Sequence, residues 1–90
     1  MRLADELVAR GARMFGAWWC SHCADQKETL GREAFGKLSY YECAEDGANS
    51  QSALCRAEDI KGYPTWKIDG EYYAGEKDLD ELEKLLAKGK

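Results

Sequence analysis

Apolar residues recur along the chain with two different spacings, which predict helices and strands in succession. A helical spacing begins with Leu3 and Leu7 and returns near the C-terminus with Leu82 and Leu86. Short apolar or aromatic runs of strand length lie between the helical segments. The pattern predicts the element order αβαβαββα, with helices over residues 2–10, 23–35, 50–59 and 79–86 and strands over residues 12–17, 38–43, 65–68 and 71–74.

Glycine residues mark the points where these elements should end or turn. Gly11 follows the first helix as a C-terminal glycine, and Gly31 weakens the second helix enough to predict a bend or break. Asp69-Gly70 separates two short strand-like runs, which predicts a hairpin. We therefore expect an α/β fold, with residues 1–90 forming a single domain, because a chain this short has no room for a second core.

Composition and charge narrow the possible functions. The net charge is -4, and the 13 lysine and arginine residues are scattered among 17 acids, which argues against nucleic acid as a partner. No apolar run reaches the length of a membrane span, and residues 1–10 lack the apolar core of a secretion signal. We expect a soluble, monomeric domain.

The first two of four cysteines stand where a strand is predicted to give way to a helix. Unpaired N–H groups and the helix dipole at that point favour the thiolate of Cys20, and Cys23 lies one turn further on. Cys20 would act as the nucleophile and Cys23 would resolve the mixed disulfide. A protonated His22 between them would stabilise the thiolate further, although an exposed histidine without this role is the alternative.

Two adjacent tryptophans precede the cysteine pair. Neighbouring side chains in a strand face opposite ways, so we expect one of Trp18 and Trp19 to be exposed and to face a partner, and we favour Trp19. The alternative is that both belong to the core.

The second cysteine pair, Cys43 and Cys55, is expected to form a structural disulfide. Closing their loop would stabilise the fold by about 3 kcal/mol. Two alternatives remain, a second redox pair that exchanges electrons with Cys20 and Cys23, and a zinc site built from all four cysteines. The spacing does not match a zinc ribbon, so we expect no metal, and nothing in the sequence calls for a cofactor. If all four cysteines pair, the compartment is oxidising.

The Trp-Cys-Ser-His-Cys motif after a short strand, followed by Gly-Tyr-Pro-Thr before a hairpin, resembles the thioredoxin superfamily. The resemblance implies a central mixed sheet of about four strands with helices on both faces. It also implies that Pro64 is cis and lies against the redox pair, so that Tyr63 and Pro64 position an extended substrate segment beside Cys20. A trans proline that opens a strand is the alternative.

More narrowly, the sequence resembles the thioredoxin-like domain of bacterial and plant homologues of vitamin K epoxide reductase. The segments that carry this resemblance are AWWCSHCADQKE, FGKLSYYEC, ALC and GYPTWKIDGEYYAGEKDLDEL. It implies a protein-disulfide oxidoreductase that oxidises cysteines of exported proteins and passes the electrons to a quinone-reducing membrane partner. The compartment would be the periplasm or the thylakoid lumen.

One departure from thioredoxin itself bears on the direction of the reaction. Met14 stands where thioredoxin has a buried acid, and Ser-His replaces Gly-Pro between the cysteines. Both changes fit an oxidase or isomerase better than a cytosolic reductase. A reductase of thioredoxin or glutaredoxin type, and a non-catalytic docking or zinc-binding module, are the alternatives.

Overall fold

Five helices and four strands make up the computed structural model, which describes residues 2–88. In chain order they are α1 Arg2–Ala9, β1 Arg13–Gly16, α2 Ser21–Leu30, α3 Arg32–Lys37, β2 Ser39–Glu42, α4 Ser52–Ala57, β3 Thr65–Ile68, β4 Glu71–Ala74 and α5 Leu79–Lys88. No helix among these residues combines the length and the apolar content that crossing a membrane requires.

The four strands form one mixed sheet in the order β2-β1-β3-β4. Strand β1 pairs in parallel with β2 and antiparallel with β3, and β3 and β4 form the predicted hairpin around Asp69-Gly70. Gly70 has a φ of 82°, a left-handed conformation that glycine adopts without steric cost. The C-terminal end of β1 therefore lies inside the sheet, between two neighbouring strands.

Side chains of β1 alternate between two apolar clusters on opposite faces of the sheet. Met14 is fully buried in the larger cluster, where α1, α2, α3 and α5 contribute residues such as Leu7, Leu30 and Leu82. Phe15 is fully buried in the smaller cluster, with a cysteine of α4. Because neighbouring residues of a strand point to opposite faces, β1 forms the wall between the two clusters. Helices therefore cover both faces of the sheet.

Residues with non-helical backbone angles explain where the helix boundaries differ from the predictions. The segment predicted as one helix is two, α2 and α3, and they meet at Gly31, whose φ is 89°. The break that Gly31 predicted is thus confirmed. Helix α4 is shorter than predicted, because Gln51 has non-helical angles, φ -116° and ψ 38°, before it and Asp59 has a φ of 57° after it. Leu79, the first residue of α5, is exposed, whereas Leu82 and Leu86 are buried as their spacing predicted.

Gln26 is a fully buried amide that ties α2 to two other parts of the fold. Its Oε1 accepts hydrogen bonds from the indole N–H of Trp66 at 3.1 Å and from the backbone N–H of Lys77 at 2.7 Å. Its Nε2 donates to the carbonyl of Lys77 at 2.8 Å. One side chain thus satisfies three polar groups and fixes the helix that begins at the cysteine pair against β3.

Replacing Gln26 with leucine is expected to destabilise the protein strongly. The change leaves the Trp66 indole N–H and both backbone groups of Lys77 without a partner, at about 1–3 kcal/mol for each unsatisfied group. Urea unfolding measures the loss. The control is Gln51→Leu, because Gln51 is exposed and its side chain forms no capping hydrogen bond. Equal unfolding free energies of Gln26→Leu and Gln51→Leu would contradict this role of Gln26.

Candidate active site

Cys20 is the N-cap residue of α2, and its sulfur lies at the positive end of that helix. The residue has extended backbone angles, φ -83° and ψ 117°, and its Sγ accepts a hydrogen bond from the backbone N–H of Cys23 at 3.3 Å. Cap acceptors satisfy N–H groups that lack a partner in the first turn of a helix. The side chain is partly exposed, so this sulfur is both held and reachable from solvent.

Cys23 differs sharply from Cys20 in its surroundings. It is only 1% exposed and packs in the larger apolar cluster. Burial, together with a hydrogen bond to Cys20, raises the pKa of the Cys23 thiol to about 12. At neutral pH this thiol therefore keeps its proton, and it acts as a nucleophile only when a neighbouring group takes that proton. The two sulfurs are thus unequal, one accessible and one buried.

Tyr63 and Pro64 lie beside Cys20, as the resemblance implied. The peptide bond between them is cis, and Pro64 is fully buried. The Cys20 thiol donates to the Tyr63 carbonyl oxygen over 3.7 Å. Trp19 meets the Tyr63 ring edge-on, with 5.8 Å between the ring centroids. The structure thus brings Trp19, Cys20, Tyr63 and Pro64 together around one sulfur.

Trp18 and Trp19 are both exposed, at 59% and 58%, so the prediction that only one of them faces solvent is wrong. Strand alternation does not apply to them because β1 ends at Gly16 and the two tryptophans stand in the turn that follows. The indole N–H of Trp18 donates to Asp46 at 3.0 Å, whereas Trp19 packs on Tyr63. Trp19 is therefore the tryptophan beside the cysteine pair.

His22 lies in the first turn of α2 and faces acidic side chains. Its Nδ1 is 3.1 Å from Oε1 of Glu76, and the ligand atoms of His22, Asp25 and Glu76 lie within 4.8 Å of one another. All three residues are exposed. A carboxylate at this distance offsets the charge of a protonated imidazole, so the pair acts on Cys20 less than a lone cation would. The tuning role of His22 stays a prediction.

Cys43 and Cys55 form a disulfide, with their Cα atoms 5.7 Å apart. Both residues are buried and pack against Phe15 in the smaller cluster. This cluster lies on the face of β1 opposite to Met14, which packs with Cys23. The sheet therefore separates the disulfide from the Cys23 sulfur. Because the Cys43 and Cys55 sulfurs are bonded to each other, the four cysteines do not form a zinc site of four thiolates.

Glu42, at the end of β2, is a buried carboxylate near the site that was not predicted from the sequence. Glu42 is 7% exposed and stands opposite Gly16 in the pairing of β1 with β2. Its Oε2 accepts the backbone N–H groups of Trp18 and Ala44 at 3.0 and 3.2 Å, and its Oε1 accepts the Tyr40 hydroxyl at 3.0 Å. No sequence pattern indicated its burial, which follows from the parallel pairing that places residues 40 and 42 beside residues 14 and 16.

Gly16 is the point of closest approach between β1, β2 and the cysteine helix. A Cβ atom added there would lie 2.9 Å from the Cys23 sulfur and 3.1 Å from the Tyr40 hydroxyl oxygen. Real Cβ atoms essentially never show a contact of 2.9 Å, and one of 3.1 Å is tighter than nine in ten of their contacts. The absence of a side chain at Gly16 is therefore what lets the Cys23 sulfur pack against the end of β1.

Gly16→Ala is expected to destabilise the fold, because the added methyl overlaps the Cys23 sulfur and the Tyr40 ring. Overpacking of this kind costs about 1–3 kcal/mol, which urea unfolding measures. The control is Gly36→Ala within α3, where an added Cβ meets no atom within 4 Å. Replacing a helical glycine by alanine stabilises by roughly 0.5–1 kcal/mol. Shifts of the same sign in both variants would contradict this account of Gly16.

Comparisons with known proteins identify sequence relatives and solved structures with a similar fold. No protein-family model matches the chain. The chain is 44% identical to thiol-disulfide oxidoreductase LTO1 of Arabidopsis thaliana over 86 residues, and 33% identical to the thioredoxin domain-containing protein 5 homolog of Drosophila melanogaster over 86 residues. These alignments cover 92% and 82% of the chain. The chain spans only 23% and 20% of the two relatives.

Solved structures agree on the fold. A mutant thioredoxin from Halobacterium salinarum superposes with a TM-score of 0.62 at 23% identity, covering 96% of this chain and 80% of that one. Thioredoxin from Fasciola hepatica superposes with a TM-score of 0.57 at 16% identity, covering 96% and 90%. At these identities the likeness concerns the fold. The chain therefore has the thioredoxin fold, and nearly its whole length is similar to about a quarter of a plant thiol-disulfide oxidoreductase.

Proposed function

We propose that this chain is a protein-disulfide oxidoreductase that exchanges disulfides with cysteine-containing client proteins. The observation that carries the proposal is the unequal pair, with an accessible Cys20 sulfur on a helix N-terminus and a buried Cys23 one turn behind it. A thiol-disulfide exchanger needs one sulfur that a partner can reach and a second that only the first can reach. The similarity to thiol-disulfide oxidoreductase LTO1 supports the same activity.

In the oxidising direction the reaction transfers two electrons from the client to the cysteine pair. A client thiolate attacks Cys20 Sγ of the Cys20–Cys23 disulfide, forms a mixed disulfide and releases Cys23. A second client thiolate then attacks the client sulfur of the mixed disulfide and releases Cys20. The client gains a disulfide, and the domain leaves with two thiols. The reducing direction runs the same steps backwards, with Cys23 attacking Cys20 in the mixed disulfide.

The residues around Cys20 would hold the client segment. Trp19 and Tyr63 offer aromatic surface at the mouth of the site, and Pro64 turns the backbone beside the sulfur. We propose that an extended client segment lies along Tyr63 and Pro64 with its cysteine at Cys20. This arrangement requires no second copy of the domain, so the proposed working unit is a monomer.

Two features favour oxidation as the physiological direction. Met14 is fully buried and apolar at the position where thioredoxin has an acid. The Cys43–Cys55 disulfide suits an oxidising compartment, because cytosolic reductants keep most thiols reduced. We propose that the clients are exported proteins in the periplasm or the thylakoid lumen. His22 would favour the reduced form of the pair and so make its disulfide more oxidising.

The reduced pair must be reoxidised before another turn. We propose that the electrons pass to a quinone-reducing membrane oxidoreductase of the vitamin K epoxide reductase type. The resemblance carried by AWWCSHCADQKE and GYPTWKIDGEYYAGEKDLDEL supports this step. Dithiol exchange at Cys20 needs no bound cofactor and no metal.

Cys43 and Cys55 serve a structural role in this proposal. Strand β1 stands between their cluster and the one that holds Cys23, so direct exchange with Cys23 would require the sheet to open. Their bond closes a loop with a sequence separation of 12 and links the end of β2 to α4.

Cys23→Ser is expected to accumulate mixed disulfides between Cys20 and client proteins. Without the buried thiol, a complex formed by reduced Cys20 with a disulfide-containing client is no longer resolved internally. Non-reducing electrophoresis with scrambled ribonuclease as the client measures the trapped species. Cys20→Ser is the matched control and should trap none. Absence of any Cys20-linked client in the Cys23→Ser protein would overturn the proposed activity.

The double variant Cys43→Ser, Cys55→Ser is expected to lose about 3 kcal/mol of unfolding free energy while its exchange turnover is retained. Urea unfolding measures the first quantity. Oxidation of a dithiol peptide, at a temperature where the variant stays folded, measures the second. The isosteric change removes the crosslink and leaves Cys20 and Cys23 in place. A large loss of turnover in the folded variant would instead indicate a second redox pair.

A further inference from the structure

The Cys23 thiol must lose its proton when it attacks a mixed disulfide, and its burial limits where that proton can go. Resolution of a mixed disulfide requires the Cys23 thiolate, yet this thiol is 1% exposed. Water therefore has little access to it. At the position where thioredoxin has a buried acid this chain has Met14, which cannot accept a proton.

Two polar side chains of β2 lie on the Cys23 side of Gly16. An added Cβ at Gly16 would be 2.9 Å from the Cys23 sulfur and 3.1 Å from the Tyr40 hydroxyl oxygen. The Cys23 sulfur and the Tyr40 hydroxyl oxygen therefore lie within 6.0 Å of each other, without a direct hydrogen bond between them. Tyr40 and Glu42 share one face of β2, and the Tyr40 hydroxyl donates to Oε1 of Glu42 at 3.0 Å.

The hydrogen bonds of Glu42 identify it as an acceptor. Three donors point at its two oxygens, namely the Tyr40 hydroxyl and the backbone N–H groups of Trp18 and Ala44. A carboxylate accepts on both oxygens, whereas a protonated carboxyl must donate from one of them. Gly47 packs so tightly on Glu42 that an added Cβ would overlap its side chain. The carboxylate is therefore held in place, with the Tyr40 hydroxyl on its Oε1.

The Tyr40 ring is also held in position. The Lys27 ammonium lies 4.8 Å from its centroid and 5.2 Å from that of Phe35, and the two ring centroids are 5.5 Å apart. Burial and the hydrogen bond to Glu42 raise the pKa of the Tyr40 phenol, so Tyr40 keeps its proton at neutral pH. The positive charge of Lys27 favours the Cys23 thiolate, as one of several influences on the pKa of that thiol.

We propose that Tyr40 and Glu42 form the proton path of Cys23, with Tyr40 as the relay and Glu42 as the terminal acceptor. This inference rests on the proposed exchange activity. As Cys23 attacks Cys20 in the mixed disulfide, its thiol proton passes to the Tyr40 oxygen and the phenol proton passes to Oε1 of Glu42. The Cys23–Cys20 bond forms, the bond from Cys20 to the client breaks, and the client leaves as a thiolate.

The path serves the oxidising direction equally. When a client thiolate attacks Cys20 of the disulfide, Cys23 leaves with a negative charge in an apolar site. A proton that Glu42 takes up from solvent passes through Tyr40 to the Cys23 sulfur and neutralises that charge. The residues of the path would therefore change the rate of exchange in both directions without setting which direction dominates.

A two-phase reaction with an aromatic disulfide reagent that releases a coloured thiol tests this path. Reduced protein attacks the reagent through Cys20 and releases one equivalent, and Cys23 then resolves the mixed disulfide and releases a second. The variants are Tyr40→Phe, which keeps the ring, and Glu42→Gln. The matched control is Tyr41→Phe, because Tyr41 is the next residue of β2 and stacks on Phe15 in the other cluster.

Tyr40→Phe is expected to slow the second phase roughly tenfold or more at neutral pH, within the usual range for general acid–base catalysis. The difference should disappear at strongly alkaline pH, where hydroxide deprotonates Cys23 directly. Glu42→Gln should act in the same way, and Tyr41→Phe should match the unmodified protein in both phases.

Three other outcomes would count against the scheme, and each is distinguishable. Equal second phases in Tyr40→Phe and the unmodified protein would overturn the proton path and leave the exchange activity standing. An equal slowing at every pH would show that Tyr40 only positions Cys23, which also overturns the path. Release of a single equivalent by the unmodified protein would overturn the proposed resolving role of Cys23 and the path with it.

Discussion

The closeness of three segments at Gly16 is the constraint on which the site depends. Strand β1 ends there, α2 begins after a short turn, and the Cys23 sulfur packs where a side chain of residue 16 would otherwise lie. This contact buries one cysteine while the capping geometry leaves Cys20 accessible. The chemical inequality of the two thiols is thus a consequence of backbone packing, since the residue type is the same.

Much of this arrangement could be predicted from local sequence signals. The Asp69-Gly70 hairpin matches its predicted bounds because turn chemistry acts over a few residues. The start of α2 at the cysteine pair is equally local. The exposure of both Trp18 and Trp19 was not predictable in this way, because it depends on β1 ending at Gly16 and on the turn that follows.

The burial of polar side chains was not predictable from the sequence pattern. Gln26 lies in a polar stretch of α2 and Glu42 in an aromatic strand, and neither pattern indicates burial. Their positions follow from tertiary contacts. Gln26 is satisfied by groups 40 and 51 residues away, and Glu42 is enclosed by the loop that precedes Cys20 and by Gly47. A single sequence read by periodicity contains no signal for such long-range partners.

The buried amide of Gln26 has a mechanical consequence for recognition. It joins α2, which begins after Cys20, to Trp66, which stands two residues beyond Pro64, so the segments that carry Cys20 and Pro64 are held together. Moving these two segments apart would break the hydrogen bonds of Gln26 to Trp66 and Lys77. If the proposed exchange takes place here, shape adjustment falls to the client, which favours cysteines in extended, unfolded segments.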